Sequence, residues 1–362
     1  MPWEGGVPNG AVTGLPREDG LKRVLITGIS GQDGSYLAEL LLERGYRVHG
    51  MVRSESLADP DGCLSRIRGF LDRVVLHAGS LVRPEDVTRV VRSVRPEECY
   101  HLGAYTFAGS SEAHDGLVME TNIMGTLHVL GALREWSPRC RFFFAASSEL
   151  FGNAVESPQK ETTPFTPRNL YGISKTTGFL LTKFFREHRD LFACSGILYN
   201  HESPRRGFEF VTRKITAHAA QIKLGLKDKI VLGNVDHRRD WGHARDTVRG
   251  MVLLLNQDAP EDCILATGET HSVREFLETA FAHCGLDPYA YLKIDPKLSA
   301  YQEPVILCGD ASRARVRLGW KPEIPFDVLV REMVDHDLHL FSSRVDGSGM
   351  QRGCEPRKDP MP

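Results

Sequence analysis

A hydroxyl, a carboxylate, a phenol and an ammonium fall within one short stretch of this chain: Ser147, Glu149, Tyr171 and Lys175. Ser147 and Ser148 end the apolar run from Phe142 to Ala146, where a buried strand should meet solvent, and Glu149 follows directly. Tyr171 and Lys175 are four residues apart in a segment that reads as helix, so they share one face of it. Groups of these types in one pocket suit proton transfer. A free tyrosine, with a pKa of about 10, is a poor base at neutral pH. An ammonium one helical turn away stabilises the phenolate and lowers that value. The phenolate can then take a proton from a carbinol while the serine hydroxyl holds the same oxygen. Glu149 is not needed for such an oxidation. It reads either as a base that removes a proton alpha to a new ketone, or as a partly exposed acid at a strand end.

The elements around these residues supply a hydride acceptor. Lys22–Gly28 is a short apolar run ending in glycine, as for a buried parallel strand. The turn that follows carries Gly28, Gly31, Gln32, Asp33 and Gly34, and leads into an amphipathic helix that stops near Gly45. Strand, glycine turn and helix in this order are the context of a dinucleotide site, although the spacing is GxxGxxG rather than GxGxxG. The second strand (46–53) ends at Arg53, followed by Ser54. A basic residue there suits the 2′-phosphate of NADP, whereas an acid would suit NAD. Arg53 reads equally as a solvated surface charge, so NAD stays open.

Strands and helices keep alternating through Asn200, which predicts an α/β fold with a Rossmann-type, doubly wound parallel sheet. Strands are expected at 73–79, 98–104, 140–147 and 192–200, and helices at 84–96, 115–135 and 171–187. Ligands of such sheets bind outside the carboxyl ends of the strands. Gly28, Ala104, Ser147 and Asn200 stand at such ends and should border one crevice. Beyond Asn200 the rhythm loosens, and the predicted elements there include a helix at 215–226, a strand at 229–234 and a loop at 236–246. The division expected is a leader (1–20), a dinucleotide-binding domain (21–200), a smaller interleaved C-terminal α/β substrate lobe (201–341) and a flexible tail (342–362).

Composition narrows the class. The formal net charge of −2 gives no global attraction to nucleic acid or to an acidic membrane surface. No apolar run approaches the roughly 20 residues of a membrane span, and the Gly- and Pro-rich first residues lack the apolar core of a secretory signal. The eight cysteines form no CxxC pair, so reduced buried thiols in a cytoplasmic protein are expected, without metal and without a disulfide framework.

The longer motifs resemble one family specifically. ITGISGQDGSYLAELLLERGY, SSELFG, SPQKETTPF, YGISK, NHESPRRG, FVTRKI, RRDWGHARD, ATGETHSVREF and LGWKP are similar to the GDP-mannose 4,6-dehydratases, a branch of the extended short-chain dehydrogenases, from about residue 22 to 341. The resemblance implies oxidation at C4 of a nucleotide sugar by bound NADP, loss of water across C5 and C6, and return of the hydride to C6. It implies Tyr171 as the base at the C4 hydroxyl, Ser147 in the place of the family's active-site threonine, Glu149 acting at C5 and C6, and Lys175 on the nicotinamide ribose. It also implies cofactor contacts from Ala104, Asn200 and Arg206. Thr106, Ser148, Asn200, Lys214 and Arg239 would then hold substrate, with charge-assisted bonds to the diphosphate. A homodimer or homotetramer is expected.

Several binding positions depart from the family's pattern. Ala300 stands where the family has an arginine that grips the diphosphate, Tyr105-Thr106-Phe107 replaces Gln-Ser-His, Ser54 replaces the second of two arginines, and Ser80 replaces an acid. Losing a charged partner of a phosphate weakens binding by about 2–5 kcal/mol unless something compensates. GDP-mannose, another nucleotide sugar and a nucleoside lacking the diphosphate all remain open as substrates, as does a net epimerase or reductase.

Overall fold

The computed structural model describes residues 20–106, 115–299 and 305–346. Ala300, Phe107 and residues 1–19 of the expected leader lie outside the described residues, as does most of the expected tail. In chain order the strands are β1 (Arg23–Thr27), β2 (Arg47–Val52), β3 (Val75–Ala78), β4 (Glu98–His101), β5 (Arg141–Ser147), β6 (Ala193–Leu198), β7 (Asn200–Glu202), β8 (Ile230–Leu232), β9 (Arg238–Arg239), β10 (Trp241–His243), β11 (Cys263–Leu265), β12 (His271–Ser272) and β13 (Leu292–Ile294). The helices are α1 (Gln32–Glu43), α2 (Ser54–Ala58), α3 (Pro84–Val94), α4 (Asp115–Met119), α5 (Gly125–Trp136), α6 (Leu170–His188), α7 (Val211–Lys223), α8 (Ala244–Leu255), α9 (Val273–His283), α10 (Ser312–Leu318) and α11 (Phe326–Asp346).

Seven strands form the central parallel sheet, in the order β11-β6-β5-β4-β1-β2-β3. The chain winds outward from β1 through β2 to β3, then returns to the other side of β1 and winds outward through β4, β5 and β6. The direction reverses between β1 and β4, where Thr27 lies opposite His101. In open α/β sheets ligands bind at such a reversal, outside the carboxyl ends of the strands. The Rossmann-type α/β fold expected from the alternation is the fold observed.

The chain divides into two compact units. One comprises residues up to Leu150, Arg168–Gly196 and Met251–Asp262; the other comprises Phe151–Pro167, Ile197–Gly250 and the residues from Cys263 onward. In the first, the strands read as continuous apolar runs because both sheet faces are covered. Phe142, Phe143 and Phe144 of β5 are all buried, as are Val24, Leu25 and Ile26 of β1. On α3, Val87, Val90, Val91 and Val94 make the buried stripe. A buried acid in this core, Glu98, accepts the Tyr100 hydroxyl at 3.0 Å and pairs with Lys22.

In the second unit, α7, α9 and α11 enclose Trp241, Phe276, Phe281 and Met333. Arg213 and Asp337 form a buried pair between α7 and α11, with Nε 3.0 Å from both carboxylate oxygens and the Thr216 hydroxyl donating to Asp337 at 2.7 Å. Asp240 is also buried. Burial pushes its carboxyl up from the usual range, opposed by bonds from the Thr267 hydroxyl and from the backbone N–H groups of Thr267, Gly268 and Gly309.

Three elements differ from the sequence expectation. The helix expected over 115–135 is broken by a π turn at Glu120–Met124. The segment 236–246, read as loop, holds β9 and β10: Arg238–Arg239 pair antiparallel with β12, and Trp241–His243 pair parallel with β7. Strands of two or three residues leave no periodicity to read. Helix α7 starts at Val211, four residues before its first expected position. The described cysteines are all free thiols. Among the described residues no helix is long and apolar enough to cross a membrane.

His49 on β2 and His77 on β3 stack in the sheet with ring nitrogens 2.9 Å apart. Burial holds both neutral, lowering His49 to about 3 and His77 to about 4. The unfolded chain takes up these protons near pH 6.5 and the folded chain only well below it, so stability falls as pH drops from about 6.5 towards those values. His77→Gln removes one such proton. Denaturant melts between pH 6.5 and 4.5 should show a slope shallower by up to about 1.4 kcal/mol per pH unit; an unchanged slope would contradict the neutral pair.

Candidate active site

The turn between β1 and α1 is built by close backbone approach. Gly28 has φ +77°, and a Cβ there would stand 2.8 Å from the Gly103 nitrogen. A Cβ on Gly34 would stand 2.2 Å from the Gly28 carbonyl oxygen. Only glycine satisfies both positions. Gly31 donates to Gly28 O at 3.0 Å and occupies the N-cap of α1, which carries no side-chain cap. A helix start with backbone N–H groups and no capping side chain suits the pyrophosphate of a dinucleotide. The residues present therefore fit such a group: Gly28, Gly31, Gln32, Asp33 and Gly34 from the turn, with Ala104 just beyond β4. Arg53, at the end of β2, is exposed and forms the N-cap of α2.

The candidate reacting groups gather at the carboxyl end of β5. Ser147 is its last residue, and its Oγ accepts the Glu149 N–H at 3.2 Å. The Glu149 carboxylate accepts from Asn169 Nδ2 at 2.9 Å and lies 3.9 Å from Arg168 Nε. The other end of the Asn169 amide caps α6, its Oδ1 accepting Gly172 N at 2.7 Å. One side chain thus fixes both the carboxylate and the start of the helix that carries Tyr171 and Lys175. Ser148 is buried behind them.

Lys175 is 4% exposed. Its ammonium donates to Ala145 O at 2.8 Å and lies 5.8 Å from the centre of the Tyr171 ring. Burial brings its pKa down to about 8, with Asp33 pulling the other way. At neutral pH it remains mostly cationic, and a cation beside a tyrosine favours the phenolate.

A second buried network braces the helix from behind. Asn122, in the π turn, accepts Tyr105 N at 2.8 Å and donates to Tyr105 O at 3.1 Å and to Ser174 Oγ at 2.9 Å. Ser174 in turn donates to Tyr171 O at 2.8 Å. His101 bridges Thr27 and Thr126, at 2.8 and 3.1 Å. Sequence reading found neither Asn122 nor Asn169. An N-cap pattern before Tyr171 was the one available signal for Asn169; Asn122 had none, because its partners lie far away in sequence.

The remaining site residues stand in the second unit, apart from Thr106, which is exposed in the first. Asn200 opens β7 opposite Trp241. Arg206 pairs with Glu202 at 3.1 Å and lies over the Phe210 ring at 3.5 Å. Arg239 Nη1 donates to Arg238 O at 2.8 Å. Lys214, on α7, is half-buried and its pKa is lowered by that burial and by Lys227.

A family model described as GDP-mannose 4,6 dehydratase matches residues 25–333. A GDP-mannose 4,6 dehydratase of Cricetulus griseus is 42% identical, covering 91% of this chain and 93% of that protein. A GDP-mannose 4,6-dehydratase of Yersinia enterocolitica is 41% identical, covering 88% and 94%. Among solved structures, a putative epimerase from Burkholderia cenocepacia superposes with a TM-score of 0.77 at 25% identity, covering 88% of this chain and 98% of its own. With the glycine cradle, the Ser147–Glu149 strand end and the Tyr171–Lys175 helix in one unit, and the match running nearly end to end, the chain belongs to the GDP-mannose 4,6-dehydratase family.

Proposed function

We propose that this protein is a nucleotide-sugar 4,6-dehydratase, that it works with a tightly bound nicotinamide dinucleotide, and that GDP-mannose is its substrate. The observation that carries the reading is the tie between Glu149 and Asn169. It holds a carboxylate at the N-cap of the helix that carries Tyr171 and Lys175, where a simple alcohol dehydrogenase has no use for one.

Each group has a defined task. Tyr171, as phenolate, takes the proton of the C4 hydroxyl, and Ser147 holds that oxygen. The Lys175 ammonium keeps the phenolate accessible near neutral pH. A ketone at C4 acidifies the C5 hydrogen, so Glu149 can remove it and pass the proton to the departing C6 hydroxyl. When bound, the dinucleotide supplies the hydride acceptor at C4 and the hydride donor at C6, so no net oxidation results. NADP is the form favoured by Arg53 at the end of β2. On the second unit, Lys214 and Arg239 provide cationic side chains for a diphosphate. Ala300 favours a second reading, the same chemistry on a different nucleotide sugar or on a nucleoside.

The protein is proposed to act in the cytoplasm as a homo-oligomer. Ile173, Leu180 and Phe184 stand exposed at helical spacing on α6, with Met124 exposed on the adjoining π turn, a stripe suited to a second copy of the chain.

Incubated with GDP-mannose and no added reductant, the purified protein should form a 4-keto-6-deoxy product; binding without product would refute this substrate. Tyr171→Phe should lower kcat by about 10²–10⁴ with little change in KM. In heavy water the wild type should place deuterium at C5 of the product. Glu149→Gln should abolish that incorporation while hydride still leaves C4, seen as absorbance of reduced cofactor. Undiminished deuterium at C5 in this variant would remove Glu149 from the elimination.

A further inference from the structure

The Lys175 ammonium has an aromatic neighbour that the reaction does not itself require. It lies 5.1 Å from the centre of the Phe144 ring, on the strand that ends in Ser147. Phe144 is 2% exposed. Its ring occupies space on α6 that only glycine leaves open: a Cβ on Gly178 would stand 2.2 Å from Phe144 Cζ and 3.0 Å or less from both Cε atoms. Gly178 is itself buried in the middle of a helix, with no left-handed conformation to explain it. A glycine inside a helix is unfavourable by about 1 kcal/mol relative to alanine, so its use here needs a packing reason, and the Phe144 ring is that reason.

We propose that Phe144 is a positioning residue for Lys175, and that Gly178 exists to admit it. The ring face gives the ammonium an attractive surface in a place where water has been removed. It holds the amine between the Ala145 carbonyl and the Tyr171 ring. The other titratable groups facing this amine are Asp33 from the turn before α1, His101 from β4 and Tyr171 on its own helix. His101 is held neutral by burial, at about 3. Asp33 is thus the one carboxylate acting on the amine, and the aromatic ring supplements it without adding a charge. The inference deepens the proposed dehydratase reading, because it takes Lys175 as the partner of Tyr171.

The test reads the lysine directly and does not depend on turnover. The full chain is labelled with 13Cε-lysine, and the Lys175 resonance is assigned by its loss in Lys175→Met. Its titration midpoint in the wild type is expected near the value of about 8 that burial imposes. In F144L, which keeps an apolar side chain but removes the ring face, the ammonium loses stabilisation. The midpoint should then fall by about half a unit or more, and the high-pH limb of kcat should move down with it. G178A alone should be strongly destabilised, because its methyl meets the ring. The double variant F144L with G178A should regain much of that stability, since leucine vacates the space, while the lysine midpoint stays low. The double variant carries the test where F144L alone does not fold. A wild-type midpoint in the double variant would overturn the proposal and leave Phe144 as packing only. Absence of dehydratase activity in the wild type would instead refute the substrate reading and leave the lysine titration standing.

Discussion

The site depends on keeping a positive charge where there is almost no water. An ammonium in such a place is driven to lose its proton, because burial penalises the charged form. Lys175 resists through a backbone carbonyl, the field of Asp33 and the face of Phe144. The arrangement around it follows from that need. Strand β5 must end at Ser147, α6 must be capped at Asn169 so that Tyr171 and Lys175 share one face of it, and residue 178 must be glycine. A lysine on an exposed helix would require none of this and would do little for a tyrosine.

Amides do the positioning around that charge. Asn169 and Asn122 each join two elements through both ends of one side chain, so neither end is left unsatisfied in a buried setting. Asn169 ties Glu149 to the helix start, and Asn122 ties the segment after β4 to the second turn of the same helix. The π turn at Glu120–Met124 adds a residue to its helical turn; such turns often serve functional sites. Here it is where the helix presents Asn122 to Tyr105 and Ser174.

The sheet was legible in the sequence because its strands are buried on both faces and read as unbroken apolar runs. Phe142 to Ala146 is the clearest. The pair proposed to react, Tyr171 and Lys175, was visible as a candidate because its spacing is that of a helix face. Asn122 and Phe144 were not, since their roles come from partners on other elements, and the N-cap pattern at Asn169 says nothing of its bond to Glu149. The strands at Arg238–Arg239 and Trp241–His243 escaped for a related reason: they are defined by pairing with β12 and β7, not by their own sequence.

The interleaving of the two units bears on how the chain is made. The first unit has all of its segments once Asp262 has been synthesised. The second draws on residues as early as Phe151 but closes on Asp337, whose carboxylate is the partner of buried Arg213. During vectorial synthesis, the segment Phe151–Pro167 and helix α7 therefore emerge long before their last packing partner exists. Arg213 in particular waits for a counter-ion more than a hundred residues downstream. Domains generally form as units in N- to C-terminal order, so the glycine cradle and the Tyr171–Lys175 helix can assemble while the second unit is still incomplete. A ribosome-bound chain of this protein would then hold a formed glycine cradle before Arg213 could find its counter-ion.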